Sequence, residues 1–328
     1  MKILLTLDYE LFLGLRTGSV EKCLVEPMHK LLQKVDAFDA KFTLFADAAY
    51  LYKLKALSGS QPALKHDLQT VTKELQTLVK AGHDVQLHIH PQWYYSTFDG
   101  NNWTLDQQHY KLTDVPKEEA AILFKNSKAL LDEIVGYKTH AFRAGGFSAQ
   151  PFEDIKPLFL ENGITVDSSA CPGTRYNSDH QQYDYLGCPQ LSRYTFEDDL
   201  AVEVREGRFT EIPLNMYPVS PTFYWRLVLT RLLKSKKHLK IGDGDSVKTA
   251  TDSIVERLTR RALSLSTIDG LKISYLFDSL RKAEKRGDEL FCVIGHPKLA
   301  TPYSIEALGR FCSKAVKDGH QFTTIANI

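Results

Sequence analysis

Two histidines one residue apart, His88 and His90, stand in the segment GHDVQLHIHPQW, residues 82–93. Val85, Leu87 and Ile89 alternate there with polar residues, and a period of two marks an extended segment whose faces meet different surroundings. His88 and His90 therefore share a face. At that spacing two imidazoles lie roughly 7 Å apart at Cβ and can converge on one cation once another oxygen or nitrogen ligand arrives. Pro91 removes a ladder donor and ends the strand, which puts the pair at a strand's C-terminal mouth, where parallel α/β folds gather their chemistry. An isolated pair of this kind is equally compatible with two surface histidines on an edge strand. The rest of the chain decides between these.

Other groups able to do chemistry occupy equivalent places. Asp8 and Glu10 follow the apolar run at residues 2–7, Arg143 ends the run at 139–142, Asp167 follows 164–166, and His296 follows 291–294. In a closed parallel barrel those positions face one opening, so residues nearly 290 apart in sequence become neighbours. A scatter of structural residues would also fall in mid-strand and at helix ends.

The elements needed to hold them there can be read in order. Short apolar runs at 2–7, 41–46, 139–142 and 164–166, with the alternating segment inside 82–93 as the third strand, alternate with helical periodicity at 20–38, 64–81, 116–135 and 151–161. Gly82, Gly136 and Gly163 sit just past three of these helices, where a left-handed cap is favoured. Parallel neighbours need crossovers of helical length, so the βα alternation predicts a parallel sheet, open or closed into a barrel. From about 171 to 288 the rhythm breaks, with a strand at 209–213 and helices expected at 222–233, 249–265 and 270–286. It then resumes with a strand at 291–294, a helix at 304–317 and a last strand at 321–325. The expectation is one domain over 1–328, an irregular (β/α) barrel carrying a mostly helical rim insertion.

Composition narrows the function classes. Forty-one basic and 40 acidic side chains leave a net charge of +1, which provides no field for a polyanion, so nucleic acid is not an expected partner. Five scattered cysteines without a CxxC pair argue against a disulfide framework or a thiolate zinc site, and fit a reducing, cytoplasmic compartment. The opening MKILLTLDYE reads as a first strand, because Asp8 and Glu10 interrupt its apolar run and no small-residue cleavage site follows. No apolar run approaches the roughly 18 residues of a membrane span.

Together these motifs resemble the polysaccharide deacetylases of the NodB-homology type, carbohydrate esterase family 4. The resemblance rests on Thr6-Leu7-Asp8-Tyr9-Glu10, on Gly82-His83-Asp84 through His88-Ile89-His90, on Arg143-Ala144-Gly145-Gly146, on Val166-Asp167-Ser168-Ser169 and on Val293-Ile294-Gly295-His296. It covers residues 1 to about 170 and again about 288 to 328. Two departures stand out. Tyr9 replaces the second of two adjacent aspartates, and Gln92 falls where the second histidine of H-x-x-x-H is usual.

The resemblance implies a divalent ion, zinc first among the candidates, held by Glu10, His88 and His90. It implies Asp8 as base, Arg143 as the residue orienting Asp8, and His296 as the acid that protonates the departing amine. Trp93, Asp167 and Tyr9 are the expected substrate-binding residues, with Trp93 either stacking on a sugar ring or packing the long loop, and Asp167 with an ordinary turn role equally open. His83 is expected to bond locally. The expected reaction is removal of an N-acetyl group from an amino sugar of a cell-surface polysaccharide, or of its cytoplasmic precursor of O-antigen or capsule type. A related hydrolase acting on a non-carbohydrate amide, as allantoinase does, and a carbohydrate-binding relative without turnover remain open. At 222–240 an aromatic, apolar helix runs into Lys234, Lys236, Lys237, His238 and Lys240; it suits either a lid packed on the barrel or weak contact with an anionic membrane surface.

Overall fold

The structure, a computed structural model, describes residues 1–178, 181–233, 235–247 and 254–328. Its main element is a sheet of nine strands: β1 (Lys2–Tyr9), β2 (Thr43–Asp47), β3 (Asp84–Ile89), β4 (Ala141–Ala144), β5 (Val166–Asp167), β6 (Tyr194–Phe196), β7 (Phe209–Glu211), β8 (Leu290–Val293) and β9 (Gln321–Thr323). They lie in the order β6-β7-β5-β4-β3-β2-β1-β8, with β9 also on β1; the β6–β7 pair alone is antiparallel.

β1 changes partners halfway. Its first half pairs with β8 and β9 and its second half with β2, which curls the sheet strongly. The expected barrel does not close by strand pairing. Instead, single hydrogen bonds complete the wall: the Leu214 amide to the Ala170 carbonyl, Asn215 to Cys292, Ser266 to Asn215, and Ile268 to Ile294.

Every residue of β3 is buried, so its alternation does not separate core from solvent. Val85, Leu87 and Ile89 lie on one face, while Asp84, Gln86 and His88 lie on the other with their polar groups bonded inside. The helices over 62–80, 117–135 and 302–317 flank the sheet close to the expected bounds. Gly136 caps the second at φ 82°, and a reciprocal bond pair between Thr301 and Ser304 caps the third. A helix at Ala48–Leu57 was not expected. It starts directly from β2, with the Asp47 carboxylate accepting the Tyr50 amide, and no polar break separates the two elements.

The 171–288 segment is less helical than expected. β6 and β7 belong to the main sheet, and residues 175–178 and 181–184 form a hairpin. Of the helix expected at 249–265, residues 249–253 lie outside the described ones, 254–259 are helical, and Ala262–Leu265 is a strand paired with Met216–Val219. Pairing with a distant strand outweighs local helical spacing there. A small apolar cluster of Val219, Phe223, Tyr224, Leu271 and Tyr275 anchors this segment apart from the main core.

Candidate metal centre

Parallel register sets the chemical side chains in a row. Asp47 of β2 pairs with His88 of β3, and His88 with Arg143 of β4. Asp8 lies near the end of β1 and Glu10 one residue beyond it, while His90 follows β3 by one residue. Gly295 accepts the Asp8 amide at 2.9 Å, which brings His296 alongside. Gly145 is required beside His90, since a Cβ there would fall 2.6 Å from Nδ1 of the imidazole.

Glu10, His88 and His90 each offer a ligand atom, all within 4.8 Å of one another. Oε2 of Glu10 is 3.3 Å from His88 Nε2 and 2.5 Å from His90 Nε2. The Nδ1 of His88 lies 2.7 Å from the Arg143 carbonyl. A carbonyl only accepts, so Nδ1 carries the proton and the Nε2 lone pair of neutral His88 faces the carboxylate. A lone pair opposite a carboxylate needs a positive charge between them. Burial alone would lower the pKa of His88, but its bond to Glu10 and the charges of Asp8, Glu10 and Asp47 push it up to about 9, so a proton takes that place when no metal does. Two histidines and one carboxylate form a common catalytic zinc set, and the donors here fit a divalent ion.

The other oxygen of Glu10 is held by Lys298, whose Nζ donates to Oε1 at 2.9 Å and to the Leu11 carbonyl at 2.6 Å. Burial opposes ionisation of Glu10, yet Lys298, His90 and His88 outweigh it and hold the carboxyl well below its usual range. Arg143 is fully buried. It donates to Asp8 Oδ1 at 2.7 Å and to the carbonyl and hydroxyl of Ser168 at 2.9 Å each, with its guanidinium over the Phe45 ring.

His296 Nε2 lies 3.7 Å from Asp8 Oδ2 and 3.8 Å from Glu10 Oε1, and Asp269 fixes the ring by accepting both its Nδ1–H at 2.8 Å and its backbone amide. Burial works against protonating His296, but Asp269, Asp8 and Glu10 together raise its pKa. Its side chain, 17% exposed, is the most accessible of the group, so solvent reaches the cluster on that side.

The structure thus brings Asp8, Glu10, His88, His90, Arg143 and His296 together. Of the three expected substrate-binding residues, Tyr9 requires correction, while Trp93 and Asp167 take the structural roles left open for them. Trp93 is fully buried against Tyr50 and Trp103, and its indole donates to Asp47 at 2.7 Å, leaving no face for a sugar. Asp47 also accepts the His90 amide, so Trp93 supports the histidine strand from behind. Tyr9 points into the core, 2% exposed, with burial pushing its phenol pKa up. Asp167 is fully buried and accepts the amide and hydroxyl of Ser169, the turn role left open for it. His83 does not bond locally: its Nδ1 accepts the amide of Phe42, far from it in sequence, at 3.0 Å.

Four polar residues of this rim were not anticipated: Asp47, Glu211, Asp269 and Lys298. Lys298 was within reach, two residues beyond His296. Asp269 lies in the irregular segment and had no local signal.

No protein-family profile matches the sequence, and no curated protein is similar to it. Solved structures are similar in fold. A protein from Mycobacterium smegmatis assigned as a polysaccharide deacetylase shares 14% identity over 92% of this chain and 75% of that one, with a TM-score of 0.50. Puue allantoinase also shares 14% identity, over 99% of this chain and 87% of that one, with a TM-score of 0.53. The chain has an irregular, open half-barrel fold similar to that of these two structures.

Proposed function

We propose that the protein is a metal-dependent C–N hydrolase that removes the N-acetyl group from an amino sugar of a cell-surface polysaccharide or its cytoplasmic precursor. The observation that carries this reading is the joining of a His₂-carboxylate cluster to two separate proton-handling pairs, Asp8–Arg143 and His296–Asp269. A divalent ion bound by Glu10, His88 and His90, zinc by preference, supplies Lewis acidity that activates water and polarises the amide carbonyl.

The chain's own groups do the rest. Asp8, held by Arg143 with one oxygen turned toward His296, accepts the proton released as water attacks. His296, whose protonation is favoured by the three carboxylates that face it, delivers a proton from Nε2 to the departing nitrogen; an amine leaves poorly without one. Asp269 keeps that nitrogen aimed at the site. Lys298 ties down the second oxygen of Glu10 and leaves the first for the ion. The products are a free amine and acetate.

A second reading has comparable support in the fold, since Puue allantoinase is as similar as the deacetylase. The same acid and base would serve a ureide. Zinc- and cobalt-loaded protein tested on a panel of N-acetylhexosamine oligomers and on ureides separates the two. Acetate and free amine from the sugars alone supports deacetylation, ureide turnover alone supports the second reading, and turnover of neither with metal bound leaves a binding protein.

A further inference from the structure

The segment between Glu211 and Asp243 contains six cationic residues and not one acidic residue. The chain as a whole has a net charge of +1, so the remainder is net −5 and the positive charge is gathered here. Lys234 lies outside the described residues; Arg231, Lys236 and Lys237 are exposed.

The helix at Pro221–Leu232 has two apolar faces. One, with Phe223 and Tyr224, packs into the small cluster around Leu271 and Tyr275. The other carries Trp225, Leu229, Leu232 and Leu233 at positions i, i+4, i+7 and i+8, a single stripe. These side chains are 54%, 56%, 72% and 78% exposed, and Leu239 just beyond is 57% exposed.

The patch adjoins the rim of the metal centre. Lys240 lies over the Phe12 ring at 4.1 Å, and Lys298, which holds Glu10, lies 5.1 Å from the same ring. The helix itself touches the same edge, where Arg226 donates to the Tyr303 hydroxyl.

We propose that this face docks on an anionic lipid bilayer, with Trp225, Leu229, Leu232 and Leu233 entering the headgroup–acyl boundary and the lysines meeting anionic headgroups. Separate apolar side chains with cations at one end and no acid within their own segment match the chemistry of a charged bilayer surface. A protein partner fits less well, because lysine is depleted from the cores of protein interfaces. A second copy of the chain fits less well again, because a two-fold interface would set the same cations against each other.

The test is co-flotation of the full-length protein with phosphatidylcholine vesicles and with vesicles containing about a third phosphatidylglycerol. Binding needs neither substrate nor metal, so it is measured on metal-free protein and stands or falls independently of the hydrolase reading. The expected result is binding to the anionic vesicles, weakened by salt and at least tenfold weaker to phosphatidylcholine. The exposed-site variants L232S/L233S and K236E/K237E should each lose at least tenfold in anionic partitioning while keeping the native circular dichroism spectrum. Absence of binding to either vesicle overturns the proposal, as does binding indifferent to both variants. A dimer in sedimentation velocity that L232S/L233S dissociates also overturns it, by showing that a second copy covers the stripe.

Discussion

Two pairs of buried acidic side chains lie at the strand ends, and the molecule treats them oppositely. On one side of the sheet, Asp8 and Glu10 at the end of β1 are met by Arg143, Lys298 and two histidines. On the other, Asp167 and Glu211 at the paired ends of β5 and β7 are met chiefly by each other. All four are nearly or wholly buried. Yet Glu10 is held well below the usual carboxyl range, while burial and the charge of Asp167 push Glu211 well above it, so that within the second pair the proton is favoured on Glu211. Burial alone therefore does not make a metal ligand. Neighbouring cations preserve a carboxylate's charge: Lys298 does so for Glu10, whereas no cation acts on Glu211 and Arg143 only partly offsets the burial of Asp167.

The same contrast separates two histidines. His88, facing carboxylates, is pushed up to about 9. His83, 3% exposed, is lowered to about 4 by burial and by the nearby charge of Lys41.

The comparison can be broken hardest at His88. His88→Ala should remove a ligand that nothing else replaces; we expect loss of bound metal by plasma emission and a fall in kcat/KM of at least about a thousandfold. Full metal occupancy in that variant would sink the ligand assignment.

Next in size is Lys298→Met, which strips Glu10 of its cation. Breaking a buried charge pair should cost about 3–5 kcal/mol in metal-free protein by urea unfolding, and chelator competition should show about 10–100-fold weaker metal binding. An unchanged midpoint would mean that Lys298 is incidental.

For His83 the sign is opposite to that of the metal-free His88. Because the folded protein resists protonating His83, stability falls as pH drops from 6.5 toward 4, by about 2–3 kcal/mol for this group. Protonation of His88 stabilises below pH 6.5, and that contribution is lost as pH rises through about 9. Urea unfolding between pH 6.5 and 4 should therefore show a steeper loss in the native protein than in His83→Gln; parallel curves would refute the account of His83.

The smallest effect is expected at Glu211→Gln. An amide replaces an acid that is already neutral, so stability should change by less than about 1 kcal/mol and turnover should stay as it was, whereas Glu10→Gln should abolish metal binding. A large loss of stability on Glu211→Gln would show that this carboxyl is ionised.

Much of the metal centre could be read from the chain because each of its residues ends a short apolar run, and parallel strands place such ends together. His88 and His90 were recognisable for that reason, as were Asp8, Glu10, Arg143 and His296. The supporting residues were not. Asp47 lies between the apolar run at 41–46 and a helix that was not expected, and only register shows it opposite His88. Asp269 comes from the irregular segment and meets His296 through a loop that sequence spacing does not define. For Trp93 the sequence left stacking and packing equally open, and the Asp47 carboxylate, which draws its indole inward, decides for packing. The strand at Ala262–Leu265 has four residues, too few for periodicity to oppose the helical pattern around it, and its partner is 46 residues away.

The measurement that bears most directly on the metal centre is anomalous diffraction at the zinc edge from crystals of zinc-loaded protein. A single strong peak bounded by Glu10 Oε2, His88 Nε2 and His90 Nε2, with Glu10 Oε1 still on Lys298, is the predicted result. A peak elsewhere, or none between these side chains at full zinc loading, would contradict it.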